Sequence, residues 1–137
     1  MATSSILFGA APQPDKDTSL YTRLGGADAF EQLVERFYNG VARDAVLRPL
    51  YPDDLAESKR TLALFLIQFF GGPTDYSNER GHPRLRMRHL PFAIGQSERD
   101  AWVQNMKNAV ESGGFSPEIE ATLLEYFERV ATFMMNQ

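Results

Sequence analysis

The chain has 137 residues, a formal net charge of −4 at pH 7, 43% hydrophobic residues and 23% charged residues. These values are typical of one globular domain and argue against a general nucleic-acid binder. With no cysteine and only two histidines, the chain cannot form disulfide frameworks, zinc ribbons, thiolate-held iron–sulfur sites or cysteine nucleophiles. If a transition metal is bound, His82 and His89 are its only strong candidate ligands.

Residues 1–18 contain small, polar and proline-rich stretches, so we predict a flexible extension there and one domain over residues 19–137. The apolar cluster at residues 6–8 has no basic residue before it, as a secretory signal normally has. No uncharged run is longer than the 14 residues of 61–74, whereas a bilayer-spanning helix needs about 20 residues. We therefore expect a cytoplasmic protein without a membrane partner.

Two apolar patterns of helical period occupy the N-terminal half. The first predicts a helix of about four turns after a Gly25-Gly26 turn, and its apolar stripe is Phe30, Leu33, Val34, Phe37, Tyr38 and Val41. The second runs from about Leu55 to Phe70, is apolar nearly all round and predicts a deeply buried helix. Its main face is Leu62, Phe65, Leu66 and Phe69. Gly71-Gly72-Pro73 ends this helix, because proline cannot continue one.

Two more helices are predicted in the C-terminal half. Ser97 before Glu98 indicates an N-cap, and Ser116 before Pro117 indicates a second one. The face of the first helix is Trp102, Met106, Ala109 and Val110, and that of the second is Ile119, Leu123, Tyr126, Phe127, Val130 and Phe133. No segment suggests a sheet, so we expect an all-α chain with four principal helices and several short ones.

Residues 84–89 are ambiguous by pattern alone. Their strict alternation suits a strand, but Pro83 can open a helix and an isolated strand would lack a partner. We predict a short helix that ends near Leu90, before Pro91.

Positive charge is concentrated around this short helix. Residues 80–97 contain four arginines and no acid, so they carry +4 and the rest of the chain carries −8. The arginines form either a solvated basic face or a site for a carboxylate or phosphate.

The two histidines have different settings. His82 lies between Gly81 and Pro83 and suits a turn, whereas His89 lies on the apolar face of the short helix, as either a core residue or a metal ligand. Because they are seven residues apart on one side of the chain, at most one is expected to bind a metal. One axial histidine is sufficient for haem, since the porphyrin supplies the other four nitrogens.

A haem pocket also needs an apolar lining, cations for the two propionates and hydrogen-bond donors over the open iron face. Candidates for the lining are Leu62, Phe65, Leu66, Leu85 and Phe92, and candidates for the cations are Arg84, Arg86 and Arg88. The amphipathic donors are Tyr38, Tyr51 and Trp102. Each of these aromatic residues can equally be ordinary core.

Five stretches occur in a distinctive order: residues 36–38, 46–52, 69–73, the run GHPRLRMRH at 81–89, and residues 98–102. In this order and spacing the chain resembles the truncated haemoglobins, and among them group II, over roughly residues 19–135. Two positions depart from the pattern. Phe70 stands where many relatives have tryptophan, and the stretch before Ser58 is one residue shorter than in some relatives.

The resemblance implies an all-α truncated globin, a two-over-two helical sandwich with a short proximal helix, holding haem b. It implies His89 as the proximal iron ligand. It also implies a set of distal hydrogen-bond donors (Trp102, Tyr38, Tyr51) and a set of distal-pocket residues (Ser58, Leu62, Phe65).

The implied function is binding of O₂ and other diatomic ligands at a five-coordinate iron. A hydrogen bond to a charged group is worth about 1.5–3 kcal/mol and slows ligand release roughly 10- to 100-fold, which suits a reactor or sensor better than oxygen transport. One alternative is an oxidoreductase for NO dioxygenation or peroxide chemistry with an external electron donor. The other is a cofactor-free helical interaction module. Expected partners are O₂, NO, CO, peroxide or sulfide, with the chain as a monomer or homodimer.

Overall fold

The computed structural model describes residues 19–137, and the predicted extension lies outside them. The described chain forms seven α-helices, one 3-10 helix and no strand, which confirms the predicted all-α fold. Among these helices, none is long and apolar enough to cross a membrane. The helices are α1 (Leu20–Leu24), α2 (Ala27–Val41), the 3-10 helix η1 (Arg48–Leu50), α3 (Ala56–Phe69), α4 (Asp75–Arg80), α5 (Leu85–His89), α6 (Gln96–Glu111) and α7 (Pro117–Met134).

The four long helices enclose one core. Helix α2 packs on α3 and on α6, and α6 packs on α7, while the short helices α1, α4 and α5 lie against α2, α3 and α7. This is the predicted two-over-two sandwich with a short helix at residues 84–89. The largest fully buried side chains are Phe30, Phe37, Leu33, Leu47, Leu66, Met106, Leu123, Val34, Val41 and Val110.

The glycine pair after α3 lets two helices meet closely. Gly71 has a φ of 106°, which glycine adopts without the steric cost of a Cβ. A Cβ on Gly72 would lie 2.7 Å from the ring of Tyr21, and the Tyr21 N–H donates to the Phe70 carbonyl at 2.9 Å. Residues 71 and 72 therefore end α3 and also seat α1 on that end.

Two aromatic residues expected in the core are exposed. Phe69 is 51% exposed, although its ring packs on Tyr126 at 4.4 Å and on Phe70 at 5.0 Å between centroids. Phe133 is 60% exposed. It directly precedes the buried Met134 and therefore points about 100° away around α7. The burial predicted for both residues is wrong.

Of the two N-caps predicted for the last two helices, one is confirmed and one is wrong. The N-cap of α6 is Gly95, whose N–H donates to Glu98 Oε1 at 2.8 Å, so the N-cap predicted at Ser97 is wrong. Ser97 lies inside the first turn, because the Glu98 carboxylate reaches back to an earlier residue. The N-cap at Ser116 is confirmed, since its Oγ accepts from the Ile119 N–H at 3.3 Å.

This difference yields a paired test of stability. Ser116→Ala is expected to lower the free energy of unfolding by about 1 kcal/mol, because it removes the acceptor at the start of α7. Ser97→Ala is the matched control and is expected to stay within about 0.5 kcal/mol of the parent protein. Urea unfolding measures both. Equal costs for the two substitutions would contradict the cap assignment.

Candidate functional site

A cavity of about 440 Å³ is lined by residues of α2 to α7 and of the segment around η1, and this volume is typical of a cofactor pocket. Ser58 lies in the lining, as do all the apolar side chains predicted for it: Leu62, Phe65, Leu66, Leu85 and Phe92. Further apolar lining comes from Leu47, Leu50, Ile94, Phe127, Val130, Ala131 and Met134.

Only one of the three predicted arginines reaches the cavity. Arg88 lines it, held by donation from Nε to the Pro83 carbonyl at 2.6 Å and from Nη2 to the Arg80 carbonyl at 2.8 Å. Arg86 instead donates to carbonyls at the end of α7, at 3.2 and 3.3 Å. Arg84 caps α5 in the left-handed conformation, with a φ of 45°, and lies outside the lining. The prediction for Arg84 and Arg86 is therefore corrected.

Two other arginines line the cavity and were missed. Arg99 donates from Nε to Thr132 Oγ1 at 3.2 Å and from Nη1 to Asp100 Oδ1 at 3.1 Å, and its side chain is only 20% exposed. The Arg80 guanidinium lies 6.0 Å from the centre of the Tyr76 ring. Arg80 is the first residue of the acid-free segment at 80–97, and this position could have identified it as a candidate cation. Arg99 follows Glu98 at the start of a predicted helix, and nothing in the sequence distinguishes it from a surface residue.

His89, the last residue of α5, lines the cavity. Of its two ring nitrogens, only Nδ1 has a hydrogen-bond partner among the described residues. Its Nδ1 lies 2.7 Å from the Leu85 carbonyl oxygen. Because that oxygen can only accept, Nδ1 carries the proton, and in the neutral ring Nε2 keeps its lone pair. His82 is not part of the lining. Within residues 19–137, no group of three or more His, Cys, Asp or Glu side chains gathers where it could hold a metal.

The three predicted donors come together in the cavity. The rings of Tyr38 and Tyr51 lie 5.5 Å apart and nearly perpendicular, and Trp102 lies in the same lining. Burial raises the pKa of both tyrosines. The neighbouring Tyr51 raises the pKa of Tyr38 further, whereas Trp102 and Tyr38 partly offset the effect of burial on Tyr51. Trp102 can only donate. Each of the three side chains therefore keeps a proton with which it can donate.

Two further buried tyrosines, Tyr76 and Tyr126, also line the cavity. Neither was predicted from the sequence as a site residue. Tyr126 packs on Phe127 at 5.4 Å between centroids. Tyr126 was expected only as core on α7, and Tyr76 lies on α4, which is too short to show a periodic pattern.

Burial of Tyr126 predicts a loss of stability at high pH. It raises the pKa of Tyr126 to about 12, above the value near 10 of an unfolded chain. Above pH 10 unfolding therefore releases a proton, and the free energy of unfolding falls by about 1.4 kcal/mol per pH unit up to about pH 12. Tyr126→Phe is expected to remove that part of the slope in urea unfolding between about pH 9 and 12. An unchanged slope would exclude Tyr126 as its source.

The cavity meets the requirements of haem. It offers one imidazole with a free Nε2 lone pair, an apolar lining and hydrogen-bond donors, together with cations from Arg80, Arg88 and Arg99. An Nδ1–H bonded to a backbone carbonyl is a common way to orient a metal-binding histidine.

Comparison with known proteins agrees with this geometry. The family profile of the bacterial-like globins matches residues 19–136. The group 2 truncated hemoglobin YjbI of Bacillus subtilis is 44% identical over 112 residues, which are 82% of this chain and 85% of that protein. The crystal structure of the hemoglobin from the thermophilic bacterium Chloroflexus aurantiacus matches with a TM-score of 0.86 and 45% identity, covering 88% of this chain and all of that one.

A truncated oxygen-avid haemoglobin from Bacillus subtilis matches with a TM-score of 0.83 and 41% identity, covering 87% of this chain and all of that one. A match over nearly the whole described chain, at this level of identity, shows the family. The chain therefore belongs to the bacterial-like globins and, among them, to the group II truncated haemoglobins, haem proteins that bind small diatomic ligands.

Proposed function

We propose that the chain binds O₂ and other diatomic ligands at a five-coordinate iron of haem b and releases O₂ slowly. The observation that carries the proposal is the Nδ1 bond of His89 to Leu85, which leaves Nε2 as the one imidazole nitrogen available at the cavity. When bound, haem supplies an iron with one open position, at which a diatomic ligand gains partial negative charge.

Tyr51 is the central residue of the proposed distal site. Its ring packs against that of Tyr38, and Trp102 lies in the same lining; in the proposed arrangement its hydroxyl oxygen accepts from these two donors and its own proton is left for a ligand. Trp102 provides a second donor when its N–H turns from Tyr51 to the ligand. Burial keeps these groups protonated and strengthens their hydrogen bonds, and each bond to a charged ligand slows release roughly 10- to 100-fold.

Three arginines are proposed to hold the two propionates. Arg80, Arg88 and Arg99 line the cavity, and guanidinium groups match carboxylates in charge and geometry. Arg88 and Arg99 are positioned by protein acceptors, the Pro83 carbonyl and Thr132 Oγ1, so less side-chain freedom is lost when they bind a carboxylate. The description of the Bacillus subtilis relative as oxygen-avid supports slow O₂ release.

Absorption spectra of the purified full chain test the proposal. We expect a Soret band, a five-coordinate ferrous spectrum under inert gas, and separate spectral changes with O₂ and with CO. A six-coordinate ferrous spectrum without added ligand would contradict five-coordination, and a missing Soret band would favour the interaction module. Turnover of NO or peroxide with a reductant would identify an oxidoreductase instead of a ligand-binding protein.

A further inference from the structure

A second, polar cleft of about 380 Å³ lies along α2 and α6. It shares no lining residue with the cavity around His89, so the proposed haem site does not explain it. The residues that carry the argument are Arg36, Asn39, Arg43, Asp44, Asn105 and Asn108.

Arg36 is only partly satisfied by the protein. Its Nε donates to the Ala109 carbonyl at 2.9 Å, whereas Nη2 is buried and has no hydrogen-bond partner within residues 19–137. A Cβ on Gly113 would lie 2.5 Å from the Phe115 ring and 2.6 Å from Nη2, so glycine at this position leaves room for both side chains. Burial also lowers the pKa of Arg36. A buried donor on a cation costs stability until it meets an acceptor.

The cleft has a second guanidinium, so its two cations outnumber its one carboxylate, Asp44. Arg43 follows Arg36 by seven positions and lines the same cleft, and neither residue has an acidic partner among the ion pairs of the described chain. The one acid in the lining, Asp44, is already engaged. Its Oδ1 accepts from two backbone N–H groups at 2.9 and 3.1 Å, and its Oδ2 accepts from Asn105 at 2.8 Å.

We propose that this cleft binds a small oxyanion, a phosphate or carboxylate group on a metabolite-sized ligand, held by Arg36 and Arg43. Guanidinium groups bind such anions through paired N–H donors. Amide donors are also at hand. Asn108 already accepts from Gln104 at its Oδ1, at 3.0 Å, which leaves its NH₂ group for the ligand, and Asn39 lies exposed at the cleft.

Isothermal titration of the haem-loaded full chain tests the proposal, with inorganic phosphate and succinate as separate arms at constant ionic strength. We expect saturable one-site binding in at least one arm. Phosphate alone would assign a phosphoryl ligand, succinate alone a carboxylate, and both a general oxyanion. Arg36→Gln and Arg43→Gln are each expected to weaken binding by about 10-fold or more. Lys107→Gln removes one charge from the exposed side of α6 and is expected to change the Kd less than about 2-fold.

Gly113→Ala is a further variant that keeps the charge. The added methyl would meet both the Phe115 ring and the Arg36 guanidinium, so binding is expected to weaken, and the Soret and far-UV spectra check that the fold is retained. If Arg36→Gln does not fold, Arg43→Gln carries the test. The proposal is overturned by the absence of saturable binding, by equal competition from chloride, or by equal weakening in Lys107→Gln. None of these outcomes depends on which residue binds iron.

Discussion

Replacing His89 with alanine is expected to abolish the histidine-ligated haem spectrum, and imidazole added in solution is expected to restore it. The chain offers two histidines, and only His89 lines the cavity. The substitution removes the proposed fifth ligand while leaving the apolar lining in place, so a free imidazole can occupy the space. Absorption spectra of the ferrous protein, with and without imidazole, measure the effect.

His82→Ala is the matched control. His82 stands outside the cavity, and only its backbone carbonyl has a described role, accepting from Arg88 at 3.3 Å. An alanine at this position retains that carbonyl, so we expect a normal spectrum. Loss of the spectrum in His82→Ala, with retention in His89→Ala, would identify His82 as the iron ligand and overturn the assignment of His89.

The double substitution Tyr51→Phe with Trp102→Phe is expected to raise the O₂ dissociation rate constant roughly 100-fold or more, from the loss of two donors. Trp102→Phe alone is expected to raise it severalfold. Because either residue can donate when the other is missing, the double effect is expected to exceed the product of the single effects. Stopped-flow displacement of O₂ by CO measures all three rates.

Tyr38→Phe is the control within the same set. In the proposed arrangement its hydroxyl proton is donated to Tyr51, which lies beside it, so its loss is expected to change the rate constant less than the loss of either other donor. An unchanged rate in Trp102→Phe would remove Trp102 from the distal role. A larger effect from Tyr38→Phe than from the double variant would reverse the direction of the hydrogen bonds.

The sequence predicted the long helices well, since these depend on helical period. The resemblance to the truncated haemoglobins implied Ser58, Tyr51 and Trp102 as distal residues, and all three lie in the lining. The arginines were predicted less well, because a guanidinium ends several bonds from its backbone and takes its acceptor from elsewhere in the fold. Arg86 bonds to carbonyls 47 and 49 positions away along the chain, and no local pattern encodes such pairs.

The ends of the helices were the other feature that the sequence predicted less well. Ser97 and Ser116 both look like caps in the sequence, yet only Ser116 accepts a backbone N–H, because Glu98 serves the start of α6 instead. Phe133 was also predicted wrongly near a helix end. The period of an ideal helix places it on the buried face of α7, but the buried residue at this end of the helix is Met134.

Helix α5 has five residues and buries none of them, and an isolated helix of that length is unstable in water. Its position is fixed by arginine bonds to carbonyls at both sides, from Arg88 to the preceding loop and from Arg86 to the end of α7. Segments held mainly by exposed polar bonds open at a lower free energy than a packed core. Loss of the cofactor and global unfolding are therefore expected to be two separate events, which the Soret band and far-UV circular dichroism would distinguish.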